Sequence, residues 1–131
     1  MNIKLFWVTS VAVFVFTLIY ETVVHGFLLK ETYALTPELW RTDTDINMTL
    51  MMLTYAVTSL LLVYLFSQKM NVRTIKQGMR AGIWVGLPIA ILGAASYVWM
   101  PISVGLGVSW FFASFIKIVA TGKITGLLYK N

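Results

Sequence analysis

The sequence predicts an all-α, four-transmembrane-helix bundle, N-in/C-in, with a short interfacial helix between the first and second spans. Three observations predict it. Of 131 residues, 59% are hydrophobic and only 11% are charged, against about 25% charged in ordinary soluble domains. A soluble chain this small leaves too much surface in water to hide that much apolar area. The apolar residues also gather into runs near the ~20 residues that a helix needs to cross the hydrocarbon core. Finally, the charges are divided between the two ends of those runs.

The spans fall at about 5–29, 48–66, 81–99 and 102–120, within a single domain covering 1–131. None alternates as a barrel strand would. Backbone inside lipid must satisfy its own hydrogen bonds, so each run is helical. The first run ends at Tyr20-Glu21-Thr22 without a small-residue cleavage pattern. It is therefore expected to stay as a membrane helix rather than be removed as a signal peptide. The loop after the second span carries Lys69, Arg73, Lys76 and Arg80 without an acid, while the loop after the first carries Glu31, Glu38, Asp43 and Asp45 beside Lys30 and Arg41. The cationic loop belongs in the cytoplasm. Lys4, Lys117, Lys123 and Lys130 are expected on the same side, with Lys117 reaching toward the headgroups from the cytoplasmic end of the fourth span. These features point to a multi-pass membrane protein with both termini in the cytoplasm.

Between the first two spans, Thr36-Pro37 reads as a helix cap followed by proline at the first helical position. A short helix is expected from Pro37 to about Arg41, anchored at the interface by Tyr33 and Trp40. Asp43 or Asp45 is expected to cap the second span. Met100-Pro101 forces a tight turn, so the last two spans form an antiparallel hairpin with Trp99 at its interface.

Small residues recur every fourth position on the third span (Gly78, Gly82, Gly86, Ala90, Ala94) and on the fourth (Gly105, Ser109, Ala113). In lipid such faces let helix backbones touch. They serve either the hairpin itself or a helix-packing interface with a partner chain. Pro88 lies within the third span and is expected to kink it.

The candidate ionisable site is Glu21 with His25. They are four apart and so share a helix face. Glu21 lies about 25 Å along the helix from Lys4, near the outer end of the span. An ionisable group inside a membrane is a functional candidate. The pair can handle a proton or an ion, or act as a polar anchor, with Arg41 as a further partner for Glu21. No metal or cofactor is expected: there is no cysteine and one histidine. A haem or chlorophyll on His25 has only that one ligand behind it. The basic charge of +5 reads as topology rather than nucleic-acid binding, and no nucleophile–base set suggests an enzyme.

The run His25-Gly26-Phe27-Leu28-Leu29, then Tyr33, then Leu39-Trp40-Arg41, resembles a segment of small four-helix bacterial inner-membrane proteins of unassigned function. That resemblance implies a bacterial origin and four helices, and it carries no site residues. Small multidrug transporters fit less well, because their membrane glutamate lies mid-helix. The expected function is a non-catalytic accessory or structural subunit of a larger membrane complex, or a homo-oligomer packed through the small-residue face of the third span. The alternative is a small oligomeric channel or transporter that is ion- or proton-coupled through Glu21 and His25. The expected partners are the lipid bilayer and other membrane subunits or a second copy.

Overall fold

A computed structural model describes residues 1–130. Every regular element among them is helical. Four helices are long and apolar enough to cross a membrane: α1 (Ile3–Leu28), α3 (Met48–Lys69), α4 (Ile75–Val98) and α5 (Val104–Leu128). A short helix, α2 (Lys30–Ala34), follows α1. The shortest long helix has 22 residues, about 33 Å at 1.5 Å per residue, which exceeds a hydrocarbon core of about 30 Å. Both termini meet at one end of the bundle, where the Asn2 backbone N–H donates to the Tyr129 hydroxyl at 3.1 Å. Gln68 at the end of α3 donates to the same hydroxyl at 2.9 Å. Tyr129 is thus fully buried.

The helix ends follow from capping chemistry. Asn2, Asn47 and Ser103 each accept from a backbone N–H three residues on, and Thr74 with Gln77 forms a complete capping box. This box starts α4 at Ile75, ahead of the apolar run that begins near residue 81. Asn47, not Asp43 or Asp45, caps α3, since Asp45 instead accepts from Thr42 at 2.7 Å. The short helix between the first spans lies at Lys30–Ala34, and Pro37–Leu39 is one 3-10 turn. The Thr36 hydroxyl accepts from the Trp40 indole at 3.3 Å rather than capping the turn. The helix of α4 continues through Pro88 to Ala94.

The bundle is apolar outside and partly polar within. Val8, Val11, Val15 and Ile19 of α1 and Leu53, Val57 and Leu61 of α3 are exposed, whereas Thr9, Ser10, Ser59, Thr121 and Thr125 are buried. In water this order would be inverted. It suits a chain whose outer solvent is lipid.

The tightest packing joins α4 to α5. A methyl group added at Gly78 would fall on the Gly122 carbonyl, and one at Gly126 on the Thr74 carbonyl. One at Gly82 would meet the Val119 Cα at 2.7 Å. These glycines allow backbone-to-backbone contact. The small-residue face of α4 is therefore covered by α5 of the same chain. Of the two roles expected for the small residues of α4, hairpin packing is the one seen at Gly78, Gly82, Gly86 and buried Ala90. Ala94 is half-buried and near Gly107. The α5 stripe Gly105, Ser109 and Ala113 does not meet α4. Gly105 is exposed, Ser109 donates to the Gly105 carbonyl, and the Ala113 carbonyl accepts from Tyr20 of α1. The small-residue contacts with α4 run instead along Ile118, Gly122 and Gly126, one position out of register with that stripe, with Phe115 and Val119 beside them. One position is about 100° around a helix, so the two stripes face different neighbours.

Candidate functional site

The stripe that misses α4 leads straight to the site. Continued at the same spacing, Gly105, Ser109 and Ala113 are followed by Lys117, Thr121 and Thr125. On α1 the inward face runs through Phe6, Thr9, Ser10, Val13, Tyr20 and Glu21. The two faces meet at Glu21 and Lys117. The Lys117 ammonium donates directly to Glu21 Oε1. His25 Nε2 lies 3.2 Å from Glu21 Oε2. Both carboxylate oxygens are therefore held, and the two ion pairs among the described residues both belong to Glu21.

Local structure sets up the histidine. α1 ends in a π-helical turn, Val24–Leu28, a wider turn often found at functional sites. His25 keeps its four-residue relation to Glu21 while the chain swings over to α2. There the Tyr33 hydroxyl lies 2.6 Å from His25 Nδ1, and the Trp110 indole donates to the same hydroxyl at 2.8 Å. Trp40 donates to the Tyr33 carbonyl at 3.2 Å and meets the Tyr33 and Trp110 rings edge-on. One arrangement with a neutral His25 satisfies all of these contacts: Nε2 donates to the carboxylate, Nδ1 accepts from the Tyr33 hydroxyl, and the Tyr33 oxygen accepts from Trp110. Burial raises the Tyr33 phenol above its ordinary range; the Trp110 hydrogen bond opposes this and the Glu21 charge adds to it. The phenol therefore stays protonated and able to donate. The result is a directed chain of hydrogen bonds, Tyr33 to His25 to Glu21, closed by a lysine on the far side.

A cavity of about 170 Å³ opens beside it, lined by Glu21, His25, Gly93, Ser96, Trp110, Ala113, Ser114 and Lys117. Typical ligand pockets hold about 300–1,000 Å³, so this space suits water or a small ion better than an organic substrate. The side chains of Glu21, His25 and Lys117 keep 14%, 38% and 26% of their surface exposed. The site is thus sheltered but reachable. Among the described residues there is no group of three His, Cys, Asp or Glu to hold a metal ion.

The structure brings Glu21, His25, Tyr33 and Trp40 together, as well as two residues the sequence reading passed over in this role, Lys117 and Trp110. Lys117 turns to Glu21 rather than standing at a helix end. α5 continues to Leu128, so Lys117 sits about 16 Å from that end. The signal for it was charge balance: a lone acid inside a membrane calls for a lone base. Arg41 is exposed and makes no ion pair among the described residues, and Trp99 is exposed away from the cluster. The chain matches no protein-family model, no curated protein and no solved structure.

Proposed function

We propose that this chain is a non-catalytic, multi-pass protein of a bacterial cytoplasmic membrane that transfers protons, with Glu21 as the exchangeable acid. The observation that carries the reading is the Tyr33–His25–Glu21 hydrogen-bonded chain ending on a carboxylate inside the membrane, beside a small cavity. Charged groups in lipid are expensive, and two of them with a histidine amount to more than an anchor requires. A proton enters from the loop end, where the charge distribution puts the outside. Tyr33 passes its proton to His25 Nδ1, His25 passes the Nε2 proton to Glu21, and the protonated acid releases Lys117. Tyr33 regains a proton from the outer surface. The cavity volume favours a proton over larger cargo.

The accessory-subunit reading has less support. It relied on the small-residue face of α4 being free for a partner, and α5 covers that face. The test is reconstitution in liposomes enclosing a pH-sensitive dye, with an imposed potential. The wild type is expected to acidify or alkalinise the lumen faster than empty vesicles, Glu21→Gln to abolish the difference, and Glu38→Gln in the exposed loop to retain it. Wild-type rates equal to those of empty vesicles refute the proposal.

A further inference from the structure

The Glu21–Lys117 pair is neutral only while Glu21 is ionised. One proton on the carboxylate leaves the Lys117 ammonium as a lone charge, with only 26% of its side-chain surface exposed. A sheltered charge without a partner is costly. No second acid stands by to replace Glu21, because Glu31, Glu38, Asp43 and Asp45 are all exposed in the loop between α1 and α3. The other titratable groups within reach of Glu21 are His25 and the phenols of Tyr20, Tyr33 and Tyr55. None of these supplies a negative charge near neutral pH, and α4 adds no titratable group to the cavity.

The cavity of about 170 Å³ beside the pair offers the ammonium space and further donors. It lies at the loop end of the bundle: His25 stands in the π-helical turn that ends α1, and Ser96 in the 3-10 turn that ends α4. Ser96 and Ser114 line it, and a serine hydroxyl can turn to donate. Ser114 Oγ lies against Gly93 of α4, 3.6 Å from where a side chain there would begin. Gly93 and Ala113 put little into the space. Carbonyls at the two helix ends are themselves capped, Ser96 by Trp99 and Met100 and Val24 by Leu29, at 2.8 to 3.2 Å. Once Glu21 is protonated, the ammonium is therefore the strongest charge in the cavity. A metal cation gains nothing comparable while Glu21 is ionised, because both carboxylate oxygens are already held.

We propose that this cavity is a site for a small monovalent anion such as chloride, which takes the place of Glu21 on Lys117 when Glu21 binds a proton. Ser96 donates to it from the α4 side and Ser114 from the α5 side. Anion and proton then favour one another, each raising the affinity for the other by the same factor. The anion is a resident counter-ion rather than cargo. Its binding stands apart from the proton-transfer reading above and needs only that Glu21 takes up a proton.

The experiment uses the full chain in detergent micelles, with chloride as the probe and the chlorine NMR line width as the readout. Glu21→Gln combined with Lys117→Met is the baseline at each pH, since it keeps every surface cation. Glu21→Gln alone leaves Lys117 unpaired at every pH, and is expected to broaden the line saturably above that baseline at neutral pH. Adding Gly93→Leu, which fills the cavity and changes no charge, is expected to abolish the excess. Wild type is expected to match the baseline at high pH and to exceed it as pH falls. Its apparent chloride affinity should rise about tenfold per pH unit while Glu21 is mostly ionised. A folded Glu21→Gln with no saturable excess refutes the site. If Glu21→Gln binds chloride but wild type stays at the baseline down to the lowest pH at which it remains folded, the link to the proton is refuted. Should Glu21→Gln fail to fold, the wild-type series decides both points. A wild type that binds chloride in this way but moves no protons in the liposome assay sinks the transfer reading and leaves the anion site standing.

Discussion

Replacing Lys117 by methionine removes the cation that holds Glu21 Oε1 while keeping most of the side-chain volume. The carboxylate then stays sheltered, with only His25 as its partner. Breaking a buried pair by removing one member costs about 3–5 kcal/mol. Lys117 keeps 26% of its side-chain surface exposed, so solvent screening brings the expected loss down to about 2–3 kcal/mol. Glu21→Gln strands the ammonium instead, and is expected to cost about the same. The double variant removes both charges and leaves a neutral amide beside a thioether. It should cost no more than about 1 kcal/mol, because replacing an ion pair by uncharged groups of similar volume is often nearly neutral. The coupling in the double-mutant cycle is therefore about 3–5 kcal/mol. Equilibrium unfolding in mixed micelles with increasing denaturing detergent, followed by circular dichroism, measures all four corners. Additive costs, with a coupling within about 0.5 kcal/mol of zero, would refute the claim that Lys117 and Glu21 act as one unit.

Glycine substitutions should separate the two α5 stripes. Gly78→Ala is expected to cost more than about 2 kcal/mol by forcing α4 away from α5, whereas Gly105→Ala should stabilise by up to about 1 kcal/mol; the same unfolding assay compares them. Tyr33→Phe removes the hydroxyl shared by His25 and Trp110, so proton flux should drop to the level of Glu21→Gln while circular dichroism stays unchanged. The raised Tyr33 phenol also predicts a pH effect. The unfolded chain ionises this group near pH 10 while the folded chain keeps it protonated, so wild-type stability should fall as pH rises above 10, and Tyr33→Phe should fall less steeply. Orientation is open to a direct check because the chain has no cysteine. A single Gln77→Cys should react with an impermeant thiol reagent only from the cytoplasmic side, and Glu38→Cys only from the opposite side.

The sequence by itself determined the solvent and the count of long helices. Both are properties of local composition: an apolar run of about 20 residues has few other outcomes in a chain this poor in charge. It also marked Glu21 and His25, since four-residue spacing alone places two side chains on one helix face. Spacing could not say which neighbour a face meets. Gly105, Ser109 and Ala113 repeat as regularly as Gly78, Gly82 and Gly86, yet a one-residue offset on α5 sends Gly122 to α4 and Lys117 to α1. Helix ends set by Thr74, Gln77 and Asn47 were equally hidden, because caps act through single hydrogen bonds outside the apolar runs. Only the tertiary structure decided that Lys117 closes on Glu21, that Tyr33 and Trp110 cover His25, and that Gly93, Ser96 and Ser114 share a cavity with them. Those contacts join residues far apart in the chain, and their geometry depends on the packing of whole helices rather than on any local pattern.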